Sequence, residues 1–159
     1  MTVVIPASAW RIAVENLRGP PHDRERVVYF DGPVPDGSIS VVTTVTIPEV
    51  TNSAGHFQVS AANMSRAGKH LRRFDLLRLA QVHAHPTDWV GHSEYDDIMA
   101  FSQRDGAISI VVPDYAGCAP GLADCGVHVR GPGGWRQLSY AERAALILIV
   151  PSVIQFADE

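Results

Sequence analysis

The chain has 159 residues, 46% of them hydrophobic and 19% charged, with a formal net charge of −4. That size and balance predict one compact α/β domain over residues 1–159 and exclude a largely disordered chain. The acidic balance, with no Arg-rich stripe interleaved with aromatics, excludes a nucleic-acid grip. The longest strongly apolar run, Ala144 to Val150, is far short of the roughly 20 residues that cross a bilayer. The first residues lack the basic and long apolar regions of a secretory signal, so a cytoplasmic protein is expected. In that reducing compartment Cys118 and Cys125 are expected as free thiols.

In chain order, Trp10, Ala13, Val14 and Leu17 stand at helical spacing from Ala7 to Leu17, and Gly19-Pro20-Pro21 stops the pattern. Val27-Val28-Tyr29-Phe30 is β-branched and aromatic, so it predicts a strand. The Asp36-Gly37 turn signal joins it to a second strand over Ser38 to Ile47 in a hairpin. His56 to Val59 predicts a short strand. Ser60 predicts the cap of a helix running to about Phe74. Leu76 to His85 is apolar enough for a buried strand that Pro86 closes. Ser93 to Arg104 predicts a third helix stopped near Gly106. A strand over Ala107 to Val112, a loop over Ala116 to Gly126 and a hairpin from Val127–Arg130 to Trp135–Leu138 follow. Ser139 with Glu142 predicts a capping box for a last helix through about Ile149. Strands alternating with helices around one core predict an α/β or α+β sandwich in which helices cover a mixed sheet.

The chemistry concentrates in His83-Ala84-His85-Pro86, six further residues, and Ser93-Glu94-Tyr95-Asp96. Residues i and i+2 of a strand share a face, so both imidazoles can converge on one point, and neutral imidazole is a common ligand of divalent metals. Asp96, in the first turn of the third helix, can supply a third ligand; Asp88 and Asp97 compete, and spacing favours Asp96. Two histidines and one carboxylate leave a fourth tetrahedral position open, the pattern of a catalytic rather than a structural zinc. Ser93 with Asp96 is also a helix-capping pattern, which is compatible with either use. His92 is expected as a solvent-facing loop histidine, and Trp89 to pack over the site or meet substrate. The H-E-x-x-H and zinc-deaminase signatures are absent from the sequence.

The spacing His83-x-His85-Pro86-x6-Ser93-x-x-Asp96 resembles the JAMM motif of the JAB/MPN zinc metalloproteases. Glu25, followed by an apolar strand and then Gly32, resembles that family's upstream glutamate-strand-glycine element, although Val27-Val28 replaces the small residue often found after the glutamate. The resemblance implies an MPN/JAB-like α+β sandwich with cytidine-deaminase-like layering. It implies zinc on His83, His85 and Asp96, Glu25 as the general acid/base with Asp23 as the alternative, and Ser93 as a donor to the oxyanion. It implies a peptidase or isopeptidase acting on a ubiquitin-like protein or its conjugates, as in small single-domain bacterial members. A non-catalytic MPN-like scaffold that binds such a partner is the other reading.

Overall fold

The computed structural model describes residues 1–34, 37–52 and 56–152. Strand β1 (Thr2–Pro6) leads directly into α1 (Ala7–Leu17). The buried residues of α1, Ala9, Trp10, Ala13, Val14 and Leu17, form the single stripe of an amphipathic helix. Next come β2 (Val27–Pro33), β3 (Ile39–Val41), β4 (Thr44–Thr46), β5 (Val50–Asn52), β6 (Phe57–Val59) and α2 (Ala61–Arg73). The second half runs β7 (Leu76–Ala84), α3 (Glu94–Met99), β8 (Ile108–Val112), β9 (Gly126–Gly131), β10 (Gly134–Gln137), α4 (Tyr140–Leu146) and β11 (Ile147–Val150).

The expected mixed α/β architecture is present. A six-stranded sheet in the order β10-β9-β8-β7-β2-β4 stands beside a three-stranded sheet, β11-β1-β3, and a two-stranded hairpin, β5-β6. In the large sheet β7 and β8 are parallel and the other pairs antiparallel. Alternation gives its faces different characters. Val28, Phe30, Ala80, Val82, Ala84, Ile108, Ile110, Val112 and Val127 point one way, into the main core with α1. Tyr29, Gln81, Ser109 and His128 pair in register across four strands of the other face, which carries buried polar side chains. The parallel β7–β8 pair requires a crossover, and α3 lies in it. The carboxyl end of β7 therefore meets the start of α3, the kind of place where α/β sheets bind ligands.

Gly32 in β2 explains the glycine of the glutamate-strand-glycine element. A Cβ there would collide with the Val41 carbonyl oxygen and crowd the Leu79 side chain.

Several elements depart from expectation. The predicted strand over Ser38 to Ile47 is two strands in different sheets. β3 pairs parallel with β1 and β4 antiparallel with β2, and Val42 N–H bonds to Val4 O while Thr43 N–H bonds to Asp31 O as the chain changes partner. The β2–β4 pairing keeps the hairpin; Asp36 of its predicted turn lies outside the described residues. Helix α3 stops at Met99, because Ala100 is extended and Phe101 returns to the sheet, its N–H on Gln81 Oε1 at 3.1 Å and its ring against Tyr29. The last helix ends at Leu146, and Ile147–Val150 becomes β11, parallel to β1. β1 and β5 are strands where none was predicted. Among the described residues no helix is long and apolar enough to cross a membrane.

Candidate metal centre

His83, near the end of β7, is fully buried, and His85 follows the strand with its ring on the same side. The N-terminus of α3 brings the carboxylate. Ser93 is the N-cap, its Oγ accepting from Asp96 N–H at 3.1 Å, while Asp96 Oδ2 accepts from Ser93 N–H at 2.8 Å and Ser93 Oγ–H at 2.7 Å. This capping box turns the Asp96 side chain back over the helix start, toward the strand end. Asp96 Oδ1 lies 3.3 Å from His83 Nε2 and Oδ2 lies 3.2 Å from His85 Nε2, and the two Nε2 atoms are 3.2 Å apart. The potential ligand atoms of the three residues lie within 4.8 Å of one another.

The donor set fits a divalent cation. His85 Nδ1 donates to the Trp89 carbonyl at 3.0 Å, which leaves the Nε2 lone pair of the neutral ring for ligation, the outer-shell arrangement usual for metal-binding histidines. Among the described residues Asp96 forms ion pairs with imidazoles and with no Lys or Arg. Burial alone would raise its pKa, but the hydrogen bonds from His83 and His85 outweigh burial and hold the carboxyl well below the usual range. His83 is driven down by burial, whereas at His85 burial is outweighed by the Asp96 hydrogen bond and charge, which raise it. The two imidazoles are thus shifted in opposite directions by their surroundings.

Glu25 stands just before β2. Val27 pairs with His83, and Ala84 N–H bonds to Arg26 O at 3.1 Å, so the antiparallel register carried outward sets Glu25 opposite His85. It is buried, and burial raises its carboxyl to about 7, with the His85 charge acting downward and that of Asp96 upward. Asp23 is exposed, 3.6 Å from Arg24. Asp88 is exposed too, and Asp97 pairs with His92 at 2.9 Å. Trp89 is 52% exposed and stacks on the His85 ring at 5.2 Å, which leaves its outer side to solvent.

His92 is not a solvent-facing loop histidine. Its side chain is 5% exposed and packs on His128, Trp135 and His83. These neighbours come from strands β9, β10 and β7, which no local pattern around His92 could announce. Gln81, whose Nε2 is 3.4 Å from His83 Nδ1, is also absent from the sequence reading; its spacing, two residues before His83 on a strand, could have pointed to it. Cys118 and Cys125 are free thiols. Cys125 is buried with Sγ on Gly121 O, and burial pushes it up to about 12, which makes it inert as a nucleophile near neutrality.

No protein-family profile matches the chain, and no curated protein matches it in sequence. Solved structures do match. Protein DSY2949 from Desulfitobacterium hafniense is similar with a TM-score of 0.71 at 16% identity, over 96% of this chain and 95% of that one. A protein from Salinibacter ruber gives 0.58 at 16% identity, over 93% and 91%. AF2198, a JAB1/MPN domain protein from Archaeoglobus fulgidus, gives 0.51 at 11% identity, over 94% and 98%. At these identities the likeness shows the fold, which is MPN/JAB-like.

Proposed function

We propose that the chain is a zinc-dependent peptidase or isopeptidase that cleaves after the C-terminus of a ubiquitin-like protein in the cytoplasm. The observation that carries this reading is a fourth buried group beside the triad, Glu25, whose carboxyl is pushed up to about 7. A ligand set alone can store a metal; a base matched to neutral pH is what hydrolysis adds. Zinc, when bound, supplies Lewis acidity that polarises the scissile carbonyl and makes hydroxide available near neutrality.

His83, His85 and Asp96 would hold the ion, supplying three of the four ligands that zinc usually takes. Glu25 takes the proton of the attacking water and returns it to the leaving amine. Ser93 offers Oγ–H to the oxyanion, exchanging its present bond to Asp96 Oδ2, which keeps the Ser93 N–H. His83 and His85 would have to be unprotonated to ligate, so metal affinity is expected to fall on acidification. The MPN/JAB-like fold supports the reading, and the motif's resemblance to the JAMM metalloproteases supports the substrate class.

The test is purification without chelator, metal analysis, and assay against ubiquitin-like proteins carrying C-terminal fusions. The expected outcome is about one zinc per chain and release of the fusion that a chelator abolishes and zinc restores. A protein that binds zinc and the ubiquitin-like partner yet never cleaves it is a scaffold, and the catalytic reading is then wrong.

A further inference from the structure

Beside the triad lies His92, an imidazole with a buried side chain that is not one of the three candidate ligands. Ser93 is the N-cap of α3, so His92 holds the position before the cap and Asp97 the fourth position of the helix. At these two places an apolar pair commonly staples the incoming chain to the helix and sets the angle between them. Here the staple is polar: His92 Nδ1 donates to Asp97 Oδ1 at 2.9 Å. The ring is also pinned to the sheet. It stacks on His128 of β9 at 4.2 Å with an interplanar angle of 20°, and Trp135 of β10 lies 5.0 Å away. His128 is itself anchored, its Nε2 donating to the Val90 carbonyl at 2.9 Å. The His83 ring is 5.8 Å from His92 and 5.6 Å from Phe57.

Burial makes the arrangement costly. His92 Nε2 is buried without a hydrogen-bond partner among the described residues, a cost that an exposed loop histidine or an apolar staple would not carry. What the histidine gains over an apolar residue is a directional bond to Asp97 together with a flat face for His128. The residue thus joins two bodies, the first turn of α3, which carries Asp96, and the sheet, which carries His83.

We propose that His92 is a positioning residue of the metal centre: stapled to Asp97 and stacked on His128, it sets where Asp96 stands relative to His83 and His85. The inference rests on reading the triad as a metal site.

The experiment titrates metal-free protein with cobalt(II) and zinc in the unmodified chain, His92→Phe, Asp97→Ala and the double variant. Affinity, the visible spectrum of bound cobalt(II) and the melting of the metal-free protein are recorded for each. Phenylalanine keeps a ring to stack on His128 but cannot donate, and Asp97 is half exposed, so its removal spares the packing if His92→Phe fails to fold. Each single variant is expected to weaken metal binding about 10-fold, the low end for an outer-shell partner, and to alter the cobalt spectrum, which a purely structural role would leave unchanged. The double variant is expected to bind no more weakly than the singles, since all remove one hydrogen bond. Folded single variants with unmodified affinity and spectrum overturn the inference, as does a double variant in which the two losses add. If the unmodified chain binds neither cobalt nor zinc, the metal reading falls and takes this inference with it.

Discussion

Two helices in this chain begin with the same device. At α3, Ser93 caps the helix and Asp96 reaches back to the cap; at α4, Ser139 and Glu142 do the same, with Glu142 Oε2 accepting from Ser139 N–H at 2.9 Å and Oγ–H at 2.8 Å. The local hydrogen bonds are nearly interchangeable. What differs is what faces the carboxylate. Glu142 is exposed and pairs with Arg136 at 2.9 Å, so its charge is answered by a permanent cation and by water. Asp96 is buried against two imidazoles, with no Lys or Arg in ion-pair range among the described residues. A capping box fixes the direction of a carboxylate; the surroundings decide whether that carboxylate only caps a helix or also ligates a metal.

The comparison breaks most sharply at the carboxylates themselves. Asp96→Asn is expected to weaken zinc binding by more than about 10²-fold, beyond the range for outer-shell partners, with hydrolysis falling in parallel. Glu142→Gln is expected to leave zinc content and turnover unchanged; metal analysis and fusion cleavage on both variants decide. Next comes Glu25→Gln, which keeps the shape and removes the base: turnover drops about 10²-fold or more while bound zinc stays. Full turnover with zinc in place would show that the base lies elsewhere, Asp23 being the alternative. The serines sharpen the contrast further. Ser93→Ala and Ser139→Ala should each cost about 1 kcal/mol of stability as lost caps, read by denaturant melts. Only Ser93→Ala should also slow hydrolysis, by about 10²-fold, as expected for a lost oxyanion donor.

A further expected effect concerns pH and the metal-free protein. The Glu25 carboxyl rises from 4.5 to about 7 on folding, so the folded chain holds that proton more tightly. Its contribution is fully present below the unfolded value and is lost as pH climbs through about 7. Asp96 has the opposite sign, its depressed pKa giving a contribution that is lost on acidification. Melting temperatures of Glu25→Gln minus those of the unmodified chain should therefore increase with pH between 4.5 and 7. A flat difference would mean that Glu25 is not desolvated in solution.

The His83-His85-Asp96 cluster is legible in the sequence because each part obeys a short-range rule: strand alternation aligns His83 with His85, and a capping box orients Asp96. Glu25 carries no such local mark. Its burial is made by the β2–β7 pairing, so the residue stands out only through resemblance to a family. His92 is the extreme case, since its ring contacts come from β7, β9 and β10 and only its bond to Asp97 is local. The same logic governs the misread elements. Ser38 to Ile47 is uniformly strand-like, and nothing within it says that its two halves have different partners. Leu146 to Ile149 continues a helical apolar pattern, yet Ile147 and Ile149 are β-branched and extend where β1 offers an open edge.

That edge bears on how the molecule is assembled. β1 lies between β3 and β11, with Val3 beside Ser40 on one side and Ile147 on the other. The second pairing closes a loop that contains nearly every other element. Contacts this remote in sequence give the chain a high contact order, which slows folding. During synthesis β1 can pair with β3 early, but its other edge waits until Ile147–Val150 has left the ribosome. His83, His85 and Asp96 emerge well before that. The β7–α3 junction, with its cluster of His83, His85 and Asp96, is therefore complete in the nascent chain while β11 is still being made.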